Sequence, residues 1–380
     1  MTKAVVLAGA WRRTRTAVRR TRKHLPATVL CALTAALAVG LAACSSGSSG
    51  SSSAGSAPTS SASASAAASD ASLLQLQGTY QGPESDVPSS YANPTVNPDA
   101  KFVVGWLNPN GVVPGLNAEQ QYAQQETTKL GGKFIALDAN ASITLQVSQF
   151  NDLLAEHVSA IMVNPNDPGS LTPDLKQAAA DHIPVISVSG AIAGQPAWAG
   201  YETNLVQGED QAAYYNVAAV AKADPGATFA VMSYAAPIPV LEYWAQRTKY
   251  WGQKLGLHFV DETDTTATTP AAQATAMSGI LARDPNVQAV FCFNDEAAES
   301  AVSVARQAGK HVLVSGTEGN TTARQLIKSG EMFSTFAFNW QALGAQAVIA
   351  AYDLVTNQHL PLPVTTAALG TLVTKANPGV

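Results

Sequence analysis

The residues of this sequence that could do chemistry are amides, hydroxyls and carboxylates, and they fall in short clusters in the later part of the chain. The clusters are Asn108, Asn164-Pro165-Asn166-Asp167, Ser189-Gly190, Tyr234, Asn294-Asp295-Glu296 and Thr317-Glu318-Gly319-Asn320. Such side chains hydrogen-bond the hydroxyl groups of a small molecule, and aromatic faces pack on its C–H surfaces. The aromatic residues near these clusters are Trp106, Trp198, Phe338 and Trp340. Each of them is more often a core residue than a ligand contact.

The sequence lacks the spacings of common catalytic and metal sites. It has no Gly-x-Ser-x-Gly elbow, no His-Glu-x-x-His motif, no phosphate-cradling glycine loop and no paired metal-ligand spacing. The histidines after the N-terminal region are scattered: His157, His182, His258, His311 and His359. No catalytic residue, cofactor or metal ion is therefore expected, and a secreted enzyme is the weakest of the functions considered.

The N-terminus has the pattern of an export signal. Residues 1–43 carry a basic front without acidic residues and then an apolar run from Ala27 to Gly40, which is short for a membrane span. Leu41-Ala42-Ala43-Cys44 resembles the lipobox of bacterial lipoproteins, which predicts cleavage before Cys44 and acylation of its sulfur. A short buried helix with a chance cysteine is the alternative, and the choice between general and twin-arginine export stays open.

Removal of the signal makes the chain strongly acidic. All 27 acidic residues follow residue 43, whereas eight of the 22 basic residues precede it, so the mature part has a formal net charge of −13. That balance argues against a nucleic-acid partner, which favours a basic surface. Cys31 lies in the signal, so Cys292 is the one cysteine left besides Cys44, and its apolar surroundings predict a buried, inert thiol.

The segment 44–100 separates the signal from the globular part. Residues 45–72 are almost wholly Ser, Gly and Ala, which predicts a flexible linker. Residues 73–100 differ, because Leu73 and Tyr80 could pack on the globular part and several prolines keep the chain extended.

From Lys101 onward, short apolar runs alternate with helix-length segments, which predicts an α/β fold with parallel sheets and covering helices. About 270 residues exceed a comfortable single core and suggest two domains. The predicted strands are Phe102–Leu107, Phe134–Leu137, Ala160–Val163, Pro184–Val188, Phe229–Ser233, Phe259–Thr263, Ala289–Phe293, His311–Ser315 and Phe333–Ala337.

Local signals predict the ends of two helices. Asn117 with Gln120 has the pattern of a helix N-cap and its partner, and Gly131-Gly132 would end that helix. Pro270 is placed to begin a second helix, which should end before Pro285.

Several segments resemble the type I periplasmic sugar-binding protein family, exemplified by ribose-binding protein. They are Ile161-Met162-Val163-Asn164-Pro165, Ile183-Pro184-Val185-Ile186-Ser187, residues 284–296 (DPNVQAVFCFNDE) and Val314-Ser315-Gly316-Thr317-Glu318-Gly319. The resemblance runs from about Lys101 to about Asn357. It implies two Rossmann-like lobes, with the ligand cleft between them and three chain crossings as a hinge.

The resemblance also places the boundaries of the lobes. The crossings are expected near Thr203-Asn204, Phe338-Asn339-Trp340 and Ala368-Leu369. The N-terminal lobe would then comprise 101–203 and 340–368, and the C-terminal lobe 204–339 and 369–380.

Ligand contacts can be carried over from the family residue by residue. Asn164 and Asn294 match ligand-bonding asparagines, although each could instead cap a turn or a helix. Asp295 lies beside Asn294. Arg247 falls where the family places a ligand-clamping arginine ahead of an aromatic residue, here Trp251.

Other positions depart from the family pattern. Glu318 replaces an aspartate, Ser189-Gly190 replaces an Asp-Arg pair that grips hydroxyls, and Phe338 replaces a glutamine. The aromatic pair expected near the first helix is absent from residues 113–116. These departures favour a less hydroxylated or partly apolar ligand. The complete set of expected ligand-binding residues is Asn164, Ser189, Arg247, Asn294, Asp295, Glu318, Trp106 and Phe338.

The expected function is that of a lipid-anchored, extracytoplasmic solute-binding component of an ABC importer. The protein would bind a small sugar or sugar-like ligand by hinge closure, act as a monomer, and deliver the ligand to a membrane permease. Two alternatives stay open. One is a binding protein that reports its ligand to a membrane receptor, and the other is an importer component for a non-sugar ligand.

Overall fold

The computed structural model describes residues 70–86, 91–190, 192, 199–236, 238–358, 364–366 and 370–379, all of which belong to one compact unit. The expected signal peptide, Cys44 and most of the Ser/Gly/Ala segment lie outside the described residues. No helix within the described ranges is both long and apolar enough to cross a membrane.

Twelve strands and ten α-helices are described. The strands are β1 (Val103–Asn108), β2 (Lys133–Asp138), β3 (Ala160–Val163), β4 (Val185–Ser187), β5 (Thr203–Val206), β6 (Thr228–Tyr234), β7 (His258–Thr265), β8 (Ala289–Cys292), β9 (Leu313–Thr317), β10 (Ser334–Ala337), β11 (Val364–Thr366) and β12 (Thr371–Val373). The helices are α1 (Asp70–Leu73), α2 (Pro114–Lys129), α3 (Ile143–Ala155), α4 (Thr172–Ala180), α5 (Glu209–Ala223), α6 (Pro239–Lys254), α7 (Pro270–Arg283), α8 (Asp295–Gln307), α9 (Thr321–Ser329) and α10 (Trp340–Thr356).

The strands form two six-stranded sheets, each the centre of one lobe. The first sheet has the order β11-β5-β4-β3-β1-β2 and is parallel throughout. The second has the order β12-β10-β9-β8-β6-β7 and is parallel except for the β10–β12 pair. The expected α/β fold with two Rossmann-like lobes is confirmed, and each of the nine predicted apolar runs overlaps a strand, with the largest shift at β9, which begins two residues after the predicted start.

Both faces of the first sheet are covered by helices. Alternate residues of one strand enter opposite cores, as the two-residue period of a strand requires. Val104 packs with Tyr352 of α10 on one face, whereas Leu107 packs with Phe150 of α3 on the other. In the second lobe, Phe229, Phe291 and Phe336 lie in one core. Cys292 is fully buried, as predicted, and burial raises the pKa of its thiol.

The chain leaves the first sheet later than expected. Thr203 and Asn204 belong to β5, which pairs with β4 and β11, so the passage to the second lobe follows Val206. Gly208 takes the left-handed φ of 105° there, a conformation in which glycine avoids the steric cost of a Cβ. The return passes through Phe338 and Asn339 between β10 and α10. The third expected crossing, at Ala368-Leu369, lies outside the described residues.

The predicted start of α2 was wrong. The helix begins at Pro114 after Val113, so Asn117 lies inside the first turn and its amide donates to the carbonyl of Gly111. Proline is favoured at the first position because its φ suits a helix and its missing N–H needs no partner. The end before Gly131 is confirmed, as is the start of α7 at Pro270, where Thr269 accepts a hydrogen bond from the N–H of Ala272.

The segment before the lobes is ordered from Asp70 to Asp86. Helix α1 includes Ser72, where a linker was predicted. Leu73 and Tyr80 are buried in the core of the second lobe, which confirms that this stretch packs on the globular part.

Candidate ligand-binding cleft

A cleft of about 240 Å³ opens between the lobes at the carboxyl ends of the strands. Ligands of open parallel sheets bind at this edge because the connecting loops meet there. The polar residues that line the cleft on loops after strands or at the start of helices are Asn110, Asn164, Asn166, Ser189, Gln207, Glu209, Thr268, Asn294 and Glu318. A larger cavity of about 790 Å³ lies at the opposite edge of the second sheet, where Gln288 before β8, the start of β9 and residues of α8 line it, and it contains none of the predicted residues.

Five of the eight expected ligand-binding residues line this one cleft. Two come from the first lobe, two from the second, and one from the passage between the lobes: Asn164, Ser189, Asn294, Glu318 and Phe338. A ligand here would touch both lobes.

Ser189 is held by a buried carboxyl group of α2. Its hydroxyl donates to Oε1 of Glu119 over 2.9 Å, and both residues are about 1% exposed. Burial raises the pKa of Glu119 to about 8, while the hydrogen bond from Ser189 acts in the opposite direction. The serine takes a left-handed φ of 54°, which is uncommon for a residue with a side chain.

Asn294 directly precedes α8 and caps its N-terminus. Its Oδ1 accepts from the N–H of Ala297 over 2.9 Å, which leaves its amide N–H groups available to the cleft. The capping role fixes the orientation of the side chain, because the Ncap oxygen must point into the first turn.

Glu318 lies on the loop after β9 in a strained conformation, with φ of 103°. Its N–H donates to the carbonyl of Phe336 over 2.8 Å, and the indole N–H of Trp340 donates to its carbonyl over 3.2 Å. The residue retains some solvent contact, but its Oε2 atom is buried and has no hydrogen-bond partner among the described residues. Burial, and then the carboxylates of α8, raise the pKa of Glu318 well above its usual value.

Aromatic rings form much of the remaining wall. Phe338 meets Trp340 edge to face, with centroids 5.4 Å apart. Tyr234 and Phe293 stack with centroids 5.6 Å apart and planes 12° from parallel. A Cβ at Gly115 would lie 2.3 Å from the Trp340 ring, so this glycine of α2 makes room for the indole.

Glu209 and Trp244 are among the cleft residues that were not predicted. Glu209 directly follows the passage at Gly208 and is 3% exposed, and burial followed by the charge of Glu84 raises its pKa. Trp244 lies on α6, where Val240 and Leu241 also face the cleft. The spacing of these residues is visible in the sequence, but the same spacing is typical of a helix packed on a core.

The structure does not place Arg247 in the cleft lining. Its guanidinium pairs instead with the fully buried Asp210 of α5 and lies over the ring of Tyr250, 4.0 Å from the centroid. Asp210 also accepts from the indole of Trp251 over 2.8 Å and from the hydroxyl of Tyr80 over 2.5 Å. Arg247 lies one helical turn beyond Trp244, which moves it away from the cleft and toward α5.

Asp295 and Trp106 also lie outside the cleft lining. Asp295 is fully buried, and its carboxylate accepts from the hydroxyl of Thr335 over 2.6 Å and from the N–H of Asn320 over 2.7 Å. It therefore braces the loop that carries Glu318. Trp106 is 2% exposed and packs beside Phe134 in the core of the first lobe.

Residues 104–359 match the family model described as the periplasmic binding protein domain, which is more than half of the chain. The chain belongs to the periplasmic binding protein family. It is 28% identical over 277 residues to the ribose import binding protein RbsB of Bacillus subtilis, covering 70% of this chain and 87% of that protein. It is 26% identical to the RbsB protein of Escherichia coli, covering 63% of this chain and 79% of that protein.

Solved structures of solute-binding proteins share the fold. One from Bacillus halodurans with bound myo-inositol is 22% identical, with a TM-score of 0.66 over 75% of this chain and 98% of that chain. One from Actinobacillus succinogenes with bound D-allose is 20% identical, with a TM-score of 0.66 over 73% of this chain and 99% of that chain.

As a periplasmic binding protein, the chain is a solute-binding protein and not an enzyme. Within the described part of the chain, no group of three or more His, Cys, Asp or Glu side chains could hold a metal ion. The chemistry of the cleft is thus that of reversible contacts to a small molecule from amides, hydroxyls, carboxyl groups and aromatic faces.

Proposed function

We propose that this protein is the extracytoplasmic solute-binding component of an ABC importer and that it binds a small sugar-like ligand in the cleft. The observation that carries the proposal is the lining itself, in which Asn164 and Ser189 of one lobe face Asn294 and Glu318 of the other. The ribose import proteins among its relatives support the same class of ligand.

Binding would proceed by closure of the lobes. A ligand stabilises the closed state only through contacts that the open state lacks, so residues of both lobes must touch it. The passages at Gly208 and at Phe338-Asn339 adjoin the cleft, which puts the moving backbone next to the ligand.

The proposal includes a lipid anchor on Cys44 and delivery to a membrane permease by a monomeric protein. The part of the sequence from Cys44 to residue 69, before the segment that packs on the lobes, would reach roughly 28 Å as a random coil, enough to lift the lobes off a lipid surface. The replacement Cys44→Ser should release the protein from membranes, and a variant that stays bound would contradict the anchor.

A thermal-shift screen tests the ligand class. The mature chain with Cys44→Ser is mixed with pentoses, hexoses, polyols, nucleosides and amino acids. A ligand at about one hundred times its dissociation constant stabilises the fold by about 2.7 kcal/mol. A response to sugars or polyols is expected, and Asn164→Ala should abolish it, whereas Asn151→Ala on the exposed face of α3 should not. A response confined to nucleosides or amino acids would contradict the proposal.

A further inference from the structure

The charges around the cleft are all of one sign. Glu209 and Glu318 line it, and no lysine, arginine or histidine is among the described residues that do so. The site therefore offers carboxyl groups without a counter-charge of its own.

Two arginines on the helices of the second lobe are bound to other groups. Arg247 is bound to Asp210. Arg324 of α9 donates to the carbonyl of Gly319 over 2.7 Å and to that of Pro378 over 3.0 Å. Neither guanidinium is therefore available to neutralise Glu318 without breaking its present hydrogen bonds.

Two polar atoms of the lining have no hydrogen-bond partner among the described residues. They are Oε2 of Glu318, an acceptor, and Nε1 of Trp244, a donor on a side chain that is 3% exposed. A buried polar atom left unpaired is costly, so such atoms usually await a ligand or a water. A ligand that satisfies both atoms must present one donor group and one acceptor group.

The walls suit a cation better than a plain hydroxyl group. Tyr234, Phe293, Phe338 and Trp340 present aromatic rings to the same cleft as Glu318. The faces of aromatic rings attract a positive charge within about 6 Å of the centroid. A carboxylate together with aromatic faces, with no basic residue beside them, forms the set of acceptors that recognises an ammonium group.

We propose that the ligand is a hydroxylated small molecule with a protonated amine, of the amino-sugar type. Glu318 pairs with the ammonium group among the aromatic rings, and the indole N–H of Trp244 donates to a hydroxyl or ring oxygen. This inference rests on the proposed function, because it names the chemistry of the ligand in that same cleft.

Pairing with an ammonium group also couples binding to protons. The carboxylates that face Glu318 from α8 are Asp295, Glu296 and Glu299, whereas Arg324 of α9 is held by backbone carbonyls. Burial raises the pKa of Glu318 in the empty cleft, whereas a bound cation favours the ionised carboxylate and so lowers that pKa. Binding of the amine should release a proton, measured by calorimetry in two buffers of different ionisation enthalpy.

Matched pairs of sugars form the first test. The affinities of D-glucosamine, D-galactosamine and D-mannosamine are compared by calorimetry with those of D-glucose, D-galactose and D-mannose, on the mature chain with Cys44→Ser. At least one amine is expected to bind more than about tenfold tighter than its neutral parent, since charge-assisted hydrogen bonds are about twice as strong as neutral ones. Neutral parents that bind as tightly as the amines overturn this inference and leave the proposed function intact. If neither form of any of these sugars binds, this inference fails, and the thermal-shift screen decides the proposed function separately.

Three variants test which residue causes the preference for the amine. Glu318→Gln keeps the size of the side chain and should remove the preference for the amine and the proton release. Glu202→Gln, at an exposed position of the first lobe, should change neither. Trp244→Phe keeps an aromatic ring, removes the donor, and should weaken both members of a pair by a similar factor. A preference for the amine that survives in Glu318→Gln overturns the assignment of this residue.

Discussion

Ser189 shows how one residue changes the character of the cleft. Its hydroxyl donates a hydrogen bond to Glu119, and both side chains are shielded from solvent. Position 189, where the family pattern has a charged residue, therefore presents no charge of its own to the cleft. Burial of the Glu119 carboxyl group outweighs the hydrogen bond from Ser189 and raises its pKa to about 8. The protonation of this one group therefore contributes to the pH dependence of stability.

The replacement Glu119→Gln should flatten the decline of stability with pH. Because the pKa in the folded state, about 8, is above the ordinary value of 4.5, the native state binds the proton more tightly than the unfolded state. The contribution of this proton to the free energy of unfolding is complete at low pH and is lost as the pH rises from 4.5 through 8. For one proton, the free energy of unfolding falls by up to about 1.4 kcal/mol per pH unit in this range. Glu119→Gln should lack this part of the decline.

Urea unfolding at several pH values between 5 and 8 measures this effect. Glu156→Gln is the control, since Glu156 is exposed at the end of α3. Parallel pH profiles for the wild type and Glu119→Gln would show that the Glu119 carboxyl group is already ionised in the folded protein.

Arg247→Ala should affect stability more than ligand affinity. Removal of the guanidinium leaves the buried carboxylate of Asp210 with the hydroxyl of Tyr80 and the indole of Trp251 as its side-chain donors. Loss of one partner of a buried ion pair costs about 3–5 kcal/mol, and the guanidinium is partly solvated, so about 2 kcal/mol is expected. Lys249→Ala, which breaks an exposed pair with Glu262, should cost at most about 1 kcal/mol. A tenfold loss of ligand affinity with unchanged stability would return Arg247 to the binding site.

At the scale of elements, the N-terminus of α5 is capped by a residue from a distant segment of the chain. Gly208 at the Ncap position has no side chain to offer. Glu84, from the segment before the lobes, accepts from the N–H of Asp210 over 3.2 Å and from that of Gln211 over 3.0 Å. The first turn of a helix leaves such N–H groups unpaired, so Glu84 replaces the missing cap.

Glu84→Ala should therefore destabilise the fold. Loss of a capping side chain costs about 0.5–2 kcal/mol, and the upper end is expected because Glu84 is 1% exposed and the freed N–H groups have little access to water. The free energy of unfolding in urea measures the change. Ser85→Ala, at an exposed neighbouring position, should change it by less than about 0.5 kcal/mol. An unchanged stability in Glu84→Ala would show that water satisfies these N–H groups.

Strands were predicted correctly from the sequence where their residues are apolar. Most of the nine strands predicted from the sequence are buried apolar runs, because parallel strands covered on both faces are mostly apolar. The edge strands β2 and β7 are largely exposed and were predicted from shorter apolar runs. Strand β5 was missed, since its first two residues, Thr203 and Asn204, are polar yet fully buried. The start of α2 was misplaced because two helix signals, Pro114 and Asn117, compete within one turn.

The predictability of the site had a similar physical limit. Asn164, Ser189 and Asn294 could be predicted because each follows a recognisable strand, and the carboxyl ends of parallel strands meet at one edge. Arg247 could not be placed, since its partner Asp210 is distant in sequence and belongs to a different helix. Glu209 was missed because the passage between the lobes was expected several residues earlier.

At the scale of the whole molecule, the segment before the lobes contacts both of them. In its first part, Leu73 and Tyr80 enter the core of the second lobe. In its later part, Tyr91 packs on the core of the first lobe, and the N–H of Asn97 donates to the hydroxyl of Tyr352 over 2.7 Å. This segment lies outside the residues matched by the family model, so its contacts are an addition to the common two-lobe fold.

Two truncations of the chain should separate this segment from the linker before it. A chain that starts at Tyr91 loses the burial of Leu73 and Tyr80 and the Glu84 cap. A buried side chain of this size contributes about 1.5–3 kcal/mol, and the released segment regains conformational entropy, so a net loss of about 3 kcal/mol is expected. A chain that starts at Asp70 keeps these contacts and should unfold within about 0.5 kcal/mol of the mature protein. Urea unfolding of both truncations measures the difference. Equal stability of the two would mean that the contacts of 70–86 only offset the entropy of ordering that segment, and a loss already present in the chain from Asp70 would assign a stabilising role to the Ser/Gly/Ala region.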